Sequence, residues 1–453
     1  VDTTQAGSDA APSALTVAST SAATSLDFTT TGGAAIPAVL MDNVYETLVR
    51  ISPEGDIEPG LAESWEAEPT RYTFHLREAA FSNGEAFTAH TAAWSINAVK
   101  TEWTNGLKKQ MDVVESATAV AEHTPVVELS RPSAGWLWSM GTAIGAMRTP
   151  TDAVGTGPFA VAGFSPGEYI ALEARDDYWG TPAAEDITIR YFPDSLTAVN
   201  ALRSGGVDAV WGVQNPELLD ALDDTIETAM GTTNGEVLLS MNNQKAPFDD
   251  PRVRRAVAYG IDREAANDIL WEGRAQDTGG APVPPTDPWF SGQDYYPFDP
   301  ARARALMEDA GAVGTPLTLT VPSLPYAQTL SEFLYSQLEE MGFDVTLETA
   351  EFPAVWLSQV MGAKDYQMSL VAHVEPRDIP TIFGNPDYYI GYDSPQARKL
   401  LEQDDMASAV DQIMEDMPAL TLMNLPNIVL YREGLTGLQP NQITDAIELK
   451  GVR

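Results

Sequence analysis

Two stretches of this sequence alternate strand, helix and strand, and no other feature constrains the fold as strongly. In residues 186–212, DITIRYFPDSLTAVNALRSGGVDAVWG, Ser195 is the expected N-cap of the helix and Gly205 or Gly206 closes it. In residues 315–371, the strands LTLTV, FDVTLET and YQMSLV flank a long helix and a short one. Alternation of this kind predicts an α/β fold with a mostly parallel sheet and helices on its faces.

A polar segment separates the two α/β stretches and predicts two lobes. In residues 238–264, LLSMNNQKAPFDDPRVRRAVAYGIDRE, a strand leads into a helix capped by Asp250, with Pro251 at its first position. Ser240–Gln244 is therefore the expected linker between the lobes, and Leu422–Asn427, where proline and asparagine interrupt an apolar run, is the expected return. A ligand is expected between the lobes, held by closure around the first linker.

The predicted boundaries follow from these linkers. A chain of 453 residues with 44% hydrophobic content is long enough for two or three bodies, each with its own core. The first residues are small and polar, cannot bury enough apolar surface to fold, and indicate a flexible leader. The predicted segments are the leader 1–14, lobe 1 at 15–241 with an inserted subdomain at about 42–155, lobe 2 at 242–424, and a return to lobe 1 at 425–453.

Composition excludes several classes of function. With 26 basic and 65 acidic residues, the formal net charge of −39 repels phosphate backbones, so nucleic acid is not an expected partner. The absence of cysteine excludes disulfides, thiolate nucleophiles and cysteine-held metals. No apolar run reaches the roughly 18–20 residues that span a bilayer. The four histidines show no helical metal-site spacing, and no cofactor is predicted.

The loop HVEPRDIP, which follows the apolar strand ending at Val371, is the first candidate for ligand contact. Ligands of open α/β sheets bind at the carboxyl ends of the strands, and this loop concentrates charge there. Its charged residues are expected to pair with a ligand's ammonium or carboxylate, or with one another in a local ion pair. The candidates are His373, Glu375, Arg377 and Asp378.

Aromatic side chains form a second group of candidates. Aromatic walls give a cleft contact area at small entropic cost, although most large aromatics simply belong to a core. Trp103 ends a helix, Trp136 lies in PSAGWLWSMG, and three tyrosines lie in the loop GNPDYYIGY. The candidates are Trp103, Trp136, Tyr388, Tyr389 and Tyr392, each with the core as its alternative place.

Two further residues complete the predicted site, and one serine offers a rival function. Arg148 is a candidate anchor for a carboxylate, with a loop salt bridge as the alternative, and Asn242 lies in the linker. Ser165 lies in GFSPG, a formal match to the nucleophile elbow of serine hydrolases. The segment EYIALEA that follows alternates as a strand does, so a hairpin turn is expected there instead of a hydrolase site. A structural adhesin is the other alternative.

Several motifs, in one order along the chain, resemble those of the family 5 solute-binding proteins of ABC importers. The likeness includes residues 238–264 and covers nearly the whole chain after the leader. The other motifs are VYETLV, PGLAESWE (59–66), YTFHLREAAFSNGEAFTA (72–89), VGTGPF (154–159), ARDDYWG ending at Gly180, IRYFPDSLTAVNALRSGGVD and YPFDPARARALMEDAG (296–311).

This resemblance implies a periplasmic-binding-protein-like fold (type II, cluster C) with an extra subdomain in the first lobe. It implies a monomeric extracytoplasmic receptor with no chemistry of its own, which delivers a short peptide to the permease subunits of an ABC importer. A lipid anchor, on a cysteine preceding this sequence, is also implied.

In peptide-binding members an aspartate after the second-lobe strand takes the ammonium in a tryptophan-rich surround. Here Glu375 and Asp378 are the acids of that loop, and no tryptophan accompanies them. The alternative within the family is a nickel–chelator or another small solute, with His373 in a suitable loop.

Overall fold

The computed structural model describes residues 14–133 and 135–453 and divides into two compact units. Unit 1 consists of the chain up to Gly231 together with Asn427–Arg453, and unit 2 is Thr232–Pro426. The first division falls inside β12 (Ile226–Met241), earlier than the predicted linker, and the second falls inside β16 (Ala419–Arg432). The predicted leader lies outside the described residues, apart from Ala14.

Unit 1 is built on a sheet with the strand order β16-β11-β1-β10-β9-β8. The central strand β1 pairs in parallel with β10 and β11, whereas β9 and β8 continue the sheet as an antiparallel hairpin. These strands are β1 (Leu15–Ser19), β8 (Phe159–Ser165), β9 (Tyr169–Ala174), β10 (Ile187–Tyr191) and β11 (Ala209–Trp211).

A second, antiparallel sheet occupies the range predicted for the inserted subdomain. Its order is β4-β5-β7-β6, from β4 (Ala62–Glu68), β5 (Arg71–Leu76), β6 (Val114–Ala121) and β7 (Thr124–Leu129). A short pair, β2 (Val49–Ile51) and β3 (Ile57–Pro59), precedes it. The helices of unit 1 are α1 (Ala35–Leu40), α2 (Ala89–Glu102), α3 (Trp136–Ser139) and α4 (Ser195–Arg203). Helix α2 packs on β6 and β7.

Unit 2 carries the longer α/β stretch. Its sheet has the order β14-β13-β15-β12-β16, with β13 (Pro316–Pro322), β14 (Asp344–Ala350) and β15 (Met368–His373). Its helices are α5 (Pro251–Gly260), α6 (Arg263–Trp271), α7 (Pro300–Asp309), α8 (Pro325–Met341), α9 (Ala354–Trp356), α10 (Ile379–Phe383), α11 (Pro395–Glu402) and α12 (Met406–Asp416). Four of them, α5, α7, α8 and α11, have proline as their first residue, which favours a helix start.

The prediction of a mostly parallel sheet is wrong, because the sheets are mixed. The pairs β13–β14 and β13–β15 are parallel, as the helix-connected stretch requires. The pair β12–β15, however, is antiparallel, and so is β11–β16 in unit 1. The reason is that β12 and β16 carry the chain from one unit to the other, and neither is the product of a local strand-helix-strand repeat.

Helix starts agree with the sequence at two places and differ at a third. Asp250 caps α5 and Asp299 caps α7, each followed by proline as predicted. The N-cap of α4, however, is Asp194, whose carboxylate accepts a hydrogen bond from the backbone N–H of Thr197 at 2.8 Å. The Ser195 hydroxyl instead accepts from the backbone N–H of Gln214, because the carboxylate takes the capping position.

Each unit buries its own apolar side chains. In unit 1, Phe74, Phe81 and Phe159 are completely enclosed. In unit 2 the apolar face of α8 is buried, and α5 packs on α7 and α8. Arg254 of α5 is also buried, and its guanidinium donates to the backbone carbonyls of Phe248, Asp416 and Met417 at 2.8–3.2 Å. Over the described residues, no helix combines the length and the apolar character that a bilayer span requires.

Candidate functional site

The candidate site begins with a glutamate that unit 2 buries on its sheet. Glu236 lies near the start of the apolar half of β12 and is directly opposite His373 of β15 in the antiparallel register. Side chains of such a pair share a face of the sheet. Glu236 is 2% exposed, and its Oε1 has no hydrogen-bond partner among the described residues. Burial, together with the charges of Asp378 and Asp287, raises its pKa well above the ordinary value.

The loop that follows β15 carries a second buried carboxylate, whose charge acts on the first. Asp378 is 8% exposed and occupies the N-cap position of α10, yet its side chain makes no capping hydrogen bond. Its Oδ2 has no partner within the described part of the chain. Burial, with smaller contributions from Glu375 and Asp287, raises its pKa to about 7. The carboxylate is therefore available to a donor that the protein itself does not supply.

A third carboxylate in this region is paired with an arginine. Asp287 is 5% exposed, and the Nε of Arg377 lies 3.8 Å from its Oδ1. Burial raises the pKa of Asp287 to about 6, and the charge of Arg377 opposes that rise. The guanidinium of Arg377 also lies over the ring of Trp289, 4.7 Å from its centroid.

Aromatic rings lie next to the carboxylates. His373 stacks on Tyr389 with centroids 5.9 Å apart, and its Nε2 is 2.7 Å from the Tyr389 hydroxyl. Tyr388 meets Tyr389 edge to face at 5.0 Å. Burial lowers the pKa of His373 to about 4, so this imidazole is neutral at pH 7 and does not neutralise Glu236. The charge of Asp378 contributes to raising the pKa of Tyr388, after the larger effect of burial.

With this geometry in view, a comparison with protein families identifies the chain. Residues 56–389 match the family model described as bacterial extracellular solute-binding proteins, family 5 Middle. The chain is a member of that family. The predicted membership is thus confirmed, and with it the prediction of a solute-binding protein that is not an enzyme.

Individual relatives differ in what their names say they bind. The nickel-binding periplasmic protein of Escherichia coli K12 is 27% identical over 379 residues, which are 73% of this chain and 69% of the relative. A putative ABC transporter peptide-binding protein of Brucella ovis is 26% identical over 351 residues, which are 70% of this chain and 63% of the relative, less than two thirds of its length.

A structural comparison supports the fold. The periplasmic binding protein DppA of Helicobacter pylori, solved in complex with the peptide STSA, superposes with a TM-score of 0.73 at 23% identity, covering 97% of both chains. At this identity the likeness concerns the fold, and the predicted periplasmic-binding-protein-like fold is confirmed.

The other predicted site residues of this family 5 member in unit 2 have different surroundings. Glu375 is exposed, one residue after the exposed Val374. Tyr392 is buried, and its hydroxyl donates to Asp416 Oδ2. The amide of Asn242 donates to the carbonyls of Lys364 and Tyr366, both at 3.0 Å. Asn242 therefore fastens the end of β12 to the chain before β15.

The predicted site residues in unit 1 are buried. Trp103 is 2% exposed and packs edge to face on Phe28 at 5.6 Å. Trp136 is also 2% exposed, packs on Tyr72 at 5.0 Å, and directs its indole N–H to Met111. Both rings belong to the core of unit 1, which is the alternative place that sequence reasoning gave them.

Arg148 is 8% exposed, and its guanidinium lies 6.0 Å from the ring of Trp94. Its positive charge acts on Tyr45 and on Asp27, so it has partners of its own within unit 1. The role of Arg148 as a carboxylate anchor stays a prediction.

Ser165 has no catalytic surroundings. It ends β8, its hydroxyl donates to Glu168 Oε2 at 2.8 Å, and β9 begins just beyond at Tyr169. A strand follows where the elbow requires a helix, as the alternation of EYIALEA predicts. Among the described residues, no group of three His, Asp or Glu side chains is placed to hold a metal ion.

Sequence reasoning missed Glu236 and Asp287. A charged residue at the start of the apolar run VLLSM was a signal for Glu236, since an acid in a buried strand requires a partner. Asp287 stands in the irregular segment VPPTDPWF, where nothing indicates that it approaches Arg377.

Proposed function

We propose that this protein is the extracytoplasmic receptor of an ABC importer and that its solute carries a positively charged amine, in the simplest case the ammonium end of a short peptide. The observation that carries this proposal is the buried carboxylate of Asp378 in the loop after β15, whose Oδ2 has no hydrogen-bond partner among the described residues. The proposal includes delivery to the permease subunits as a monomer, with a lipid anchor as the link to the membrane.

The balance of charge around Asp378 favours a cation. Glu236, Asp287 and Asp378 are three buried carboxylates, and Arg377 is the cation that pairs with one of them. An ionised carboxylate buried without a partner costs several kcal/mol, and a hydrogen bond to such a group contributes about 1.5–3 kcal/mol. A ligand ammonium would supply the missing charge and its N–H donors together.

The aromatic neighbours fit the same kind of ligand. A cation near the faces of tyrosine rings gains about 0.5–2 kcal/mol, and more as water is excluded. Tyr388 is the half-buried ring beside Asp378, whereas Tyr389 is fully enclosed and supports it. We therefore assign ligand contact to Asp378 and Tyr388, and a supporting role to Tyr389 and His373.

The alternative ligand, a nickel–chelator complex, is favoured by the name of the Escherichia coli relative. Against it stands the sign of the charge in unit 2, because the carboxylates of a chelator would be repelled by ionised Asp378. The neutral imidazole of His373 has the protonation state that metal binding needs, but its Nε2 already contacts the Tyr389 hydroxyl.

Native mass spectrometry of the purified protein tests the class of solute. We expect a bound mass that belongs to a peptide or another amine, and a metal-chelate isotope pattern would refute the proposal. Calorimetry with trialanine and N-acetyl-trialanine then isolates the ammonium, since acetylation removes its charge.

Asp378→Asn is expected to weaken trialanine binding by about 10- to 100-fold, the equivalent of one hydrogen bond to a charged group. The control is Asp387→Asn, an exposed aspartate in the following segment, which should bind as the wild type does. Equal binding of both peptides would contradict an ammonium subsite.

A further inference from the structure

Several buried acceptors of unit 2 lack a hydrogen-bond partner among the described residues, and they are not confined to the loop after β15. They include Oε1 of Glu236 and Oδ2 of both Asp287 and Asp378. Asn424 adds a neutral acceptor, because its amide N–H groups hold the carbonyls of Thr233 and Gly235 while its Oδ1 has no partner among the described residues.

The indole N–H of Trp289 also lacks a partner, but it is a donor. A buried acceptor that no donor satisfies costs about 1–3 kcal/mol, so several of them together indicate a missing group with N–H donors.

Glu236 differs from Asp378 in its place in the fold. It projects from a strand instead of a loop, is more completely enclosed, and stands opposite the ring of His373. The side-chain amide of Asn424 donates to the carbonyls on either side of Asn234 and thereby fixes this part of β12. Neither the strand nor the rings around Glu236 can move aside easily, so its carboxyl has a fixed position. A ligand must therefore place its positive group at that position.

The neighbours of Glu236 decide which carboxyl keeps a proton. Glu236 is almost completely buried and its Oε1 has no partner among the described residues, so the charged form is disfavoured; burial first, and then the charge of Asp378, raises its pKa, and the carboxyl keeps its proton. No positive charge stands opposite on β15, because burial holds His373 in its neutral form. The titratable and charged groups that surround the pair are Asp287, Glu375, Arg377, Asp404, His373, Tyr366, Tyr388 and Tyr389.

We infer that Glu236 is the second carboxyl of the cation subsite, that it is protonated when the subsite is empty, and that it releases this proton when a cationic ligand group binds. Nothing else changes chemically: the proton passes to the buffer, the ligand's amine stays charged, and two carboxylates then face one cation beside the Asp287–Arg377 pair. Glu236 thereby becomes a residue that determines specificity for charge. The ligand in this inference rests on the proposed function. The protonation of Glu236 in the empty subsite does not depend on that function.

The empty state is tested without any ligand. Protein freed of solute by dialysis from urea is labelled with ¹³C at glutamate carboxyls and titrated by NMR, with Glu236→Gln used to assign the signal. We expect one glutamate that remains protonated at neutral pH. A Glu236 signal that titrates near the ordinary value of about 4.3 would overturn the inference, whatever the ligand proves to be.

The exchange is tested by calorimetry with trialanine at pH 7 in phosphate and in Tris, whose ionisation enthalpies differ. We expect the wild type to release about one proton more per ligand than Glu236→Gln, in which the remaining release comes from Asp378, and we expect affinity about 10-fold or more weaker in the variant. Glu332→Gln, an exposed glutamate on α8, is the matched control and should behave as the wild type.

The outcomes separate the inference from the proposed function. The inference would be overturned if trialanine bound without proton release, or if Glu236→Gln bound it with the same affinity and proton release as the wild type. Either result would leave the receptor proposal standing. If trialanine does not bind, peptide capture fails, and the NMR titration alone decides the protonation of Glu236.

Discussion

Replacing Asp378 by asparagine should make the stability of this protein less sensitive to alkaline pH. The amide keeps the shape of the carboxyl and the ability to occupy an N-cap, but it cannot ionise. The pKa of Asp378 in the folded protein is about 7, against an ordinary value of 3.8 for this side chain. Because the folded value is the higher one, the wild-type group favours folding below pH 4, and this contribution is lost as the pH rises through 7.

The size of the effect follows from the difference between the two pKa values. Each pKa unit corresponds to about 1.4 kcal/mol, so the full difference is about 4 kcal/mol, and about 3 kcal/mol of it develops between pH 5 and pH 8. Because the titration of Asp378 is coupled to that of Glu236, the free-energy difference is smaller than this value. The wild type should therefore lose up to about 3 kcal/mol relative to Asp378→Asn over that range.

Urea unfolding of ligand-free protein, followed by tryptophan fluorescence at several pH values, measures this difference. Asp387→Asn is the control, because its carboxyl is exposed and its curve should run parallel to the wild type. If the curves of the wild type and Asp378→Asn also run parallel from pH 5 to pH 8, the aspartate is not buried without a partner, and the argument for a cation subsite loses its basis.

Three further substitutions test the fold and the exclusion of catalysis. Arg254→Met should lower the free energy of unfolding by about 3 kcal/mol, because it leaves buried carbonyls without donors. Arg304→Met, at an exposed arginine, is the control and should change it by less than about 0.5 kcal/mol. Urea unfolding measures both variants.

Gly155→Ala should lower the melting temperature by several degrees, because the new Cβ would lie 1.9 Å from a backbone carbonyl oxygen. Gly106→Ala is the control, since its Cβ would enter open space. An unchanged melting temperature in both variants would contradict this packing. Ser165→Ala should leave solute binding intact, and neither protein should hydrolyse ester probes; turnover that disappears in the variant would reinstate a hydrolase.

Local sequence signals were sufficient for many elements but not for the site as a whole. Asp250 with Pro251 and Asp299 with Pro300 predict helix starts correctly, because capping depends on neighbours within one turn. Asp378 stands in a loop that was predicted from the sequence to contact the ligand. That its side chain makes no capping hydrogen bond and that its Oδ2 has no donor among the described residues depend on the surrounding chain, which local sequence does not reveal. Glu236 was missed since its burial depends on β15, which lies far along the sequence.

The sequence by itself determined the α/β class, the positions of most strands and helices, the hairpin at Ser165 and the family, since each depends on local periodicity, capping or ordered motifs. Only the tertiary structure decided that the division between the units falls inside β12, that the sheets are mixed, and that three carboxylates share one region with Arg377. Strand pairing and burial arise between residues far apart in the chain, and the electrostatic properties of the candidate site depend on that burial.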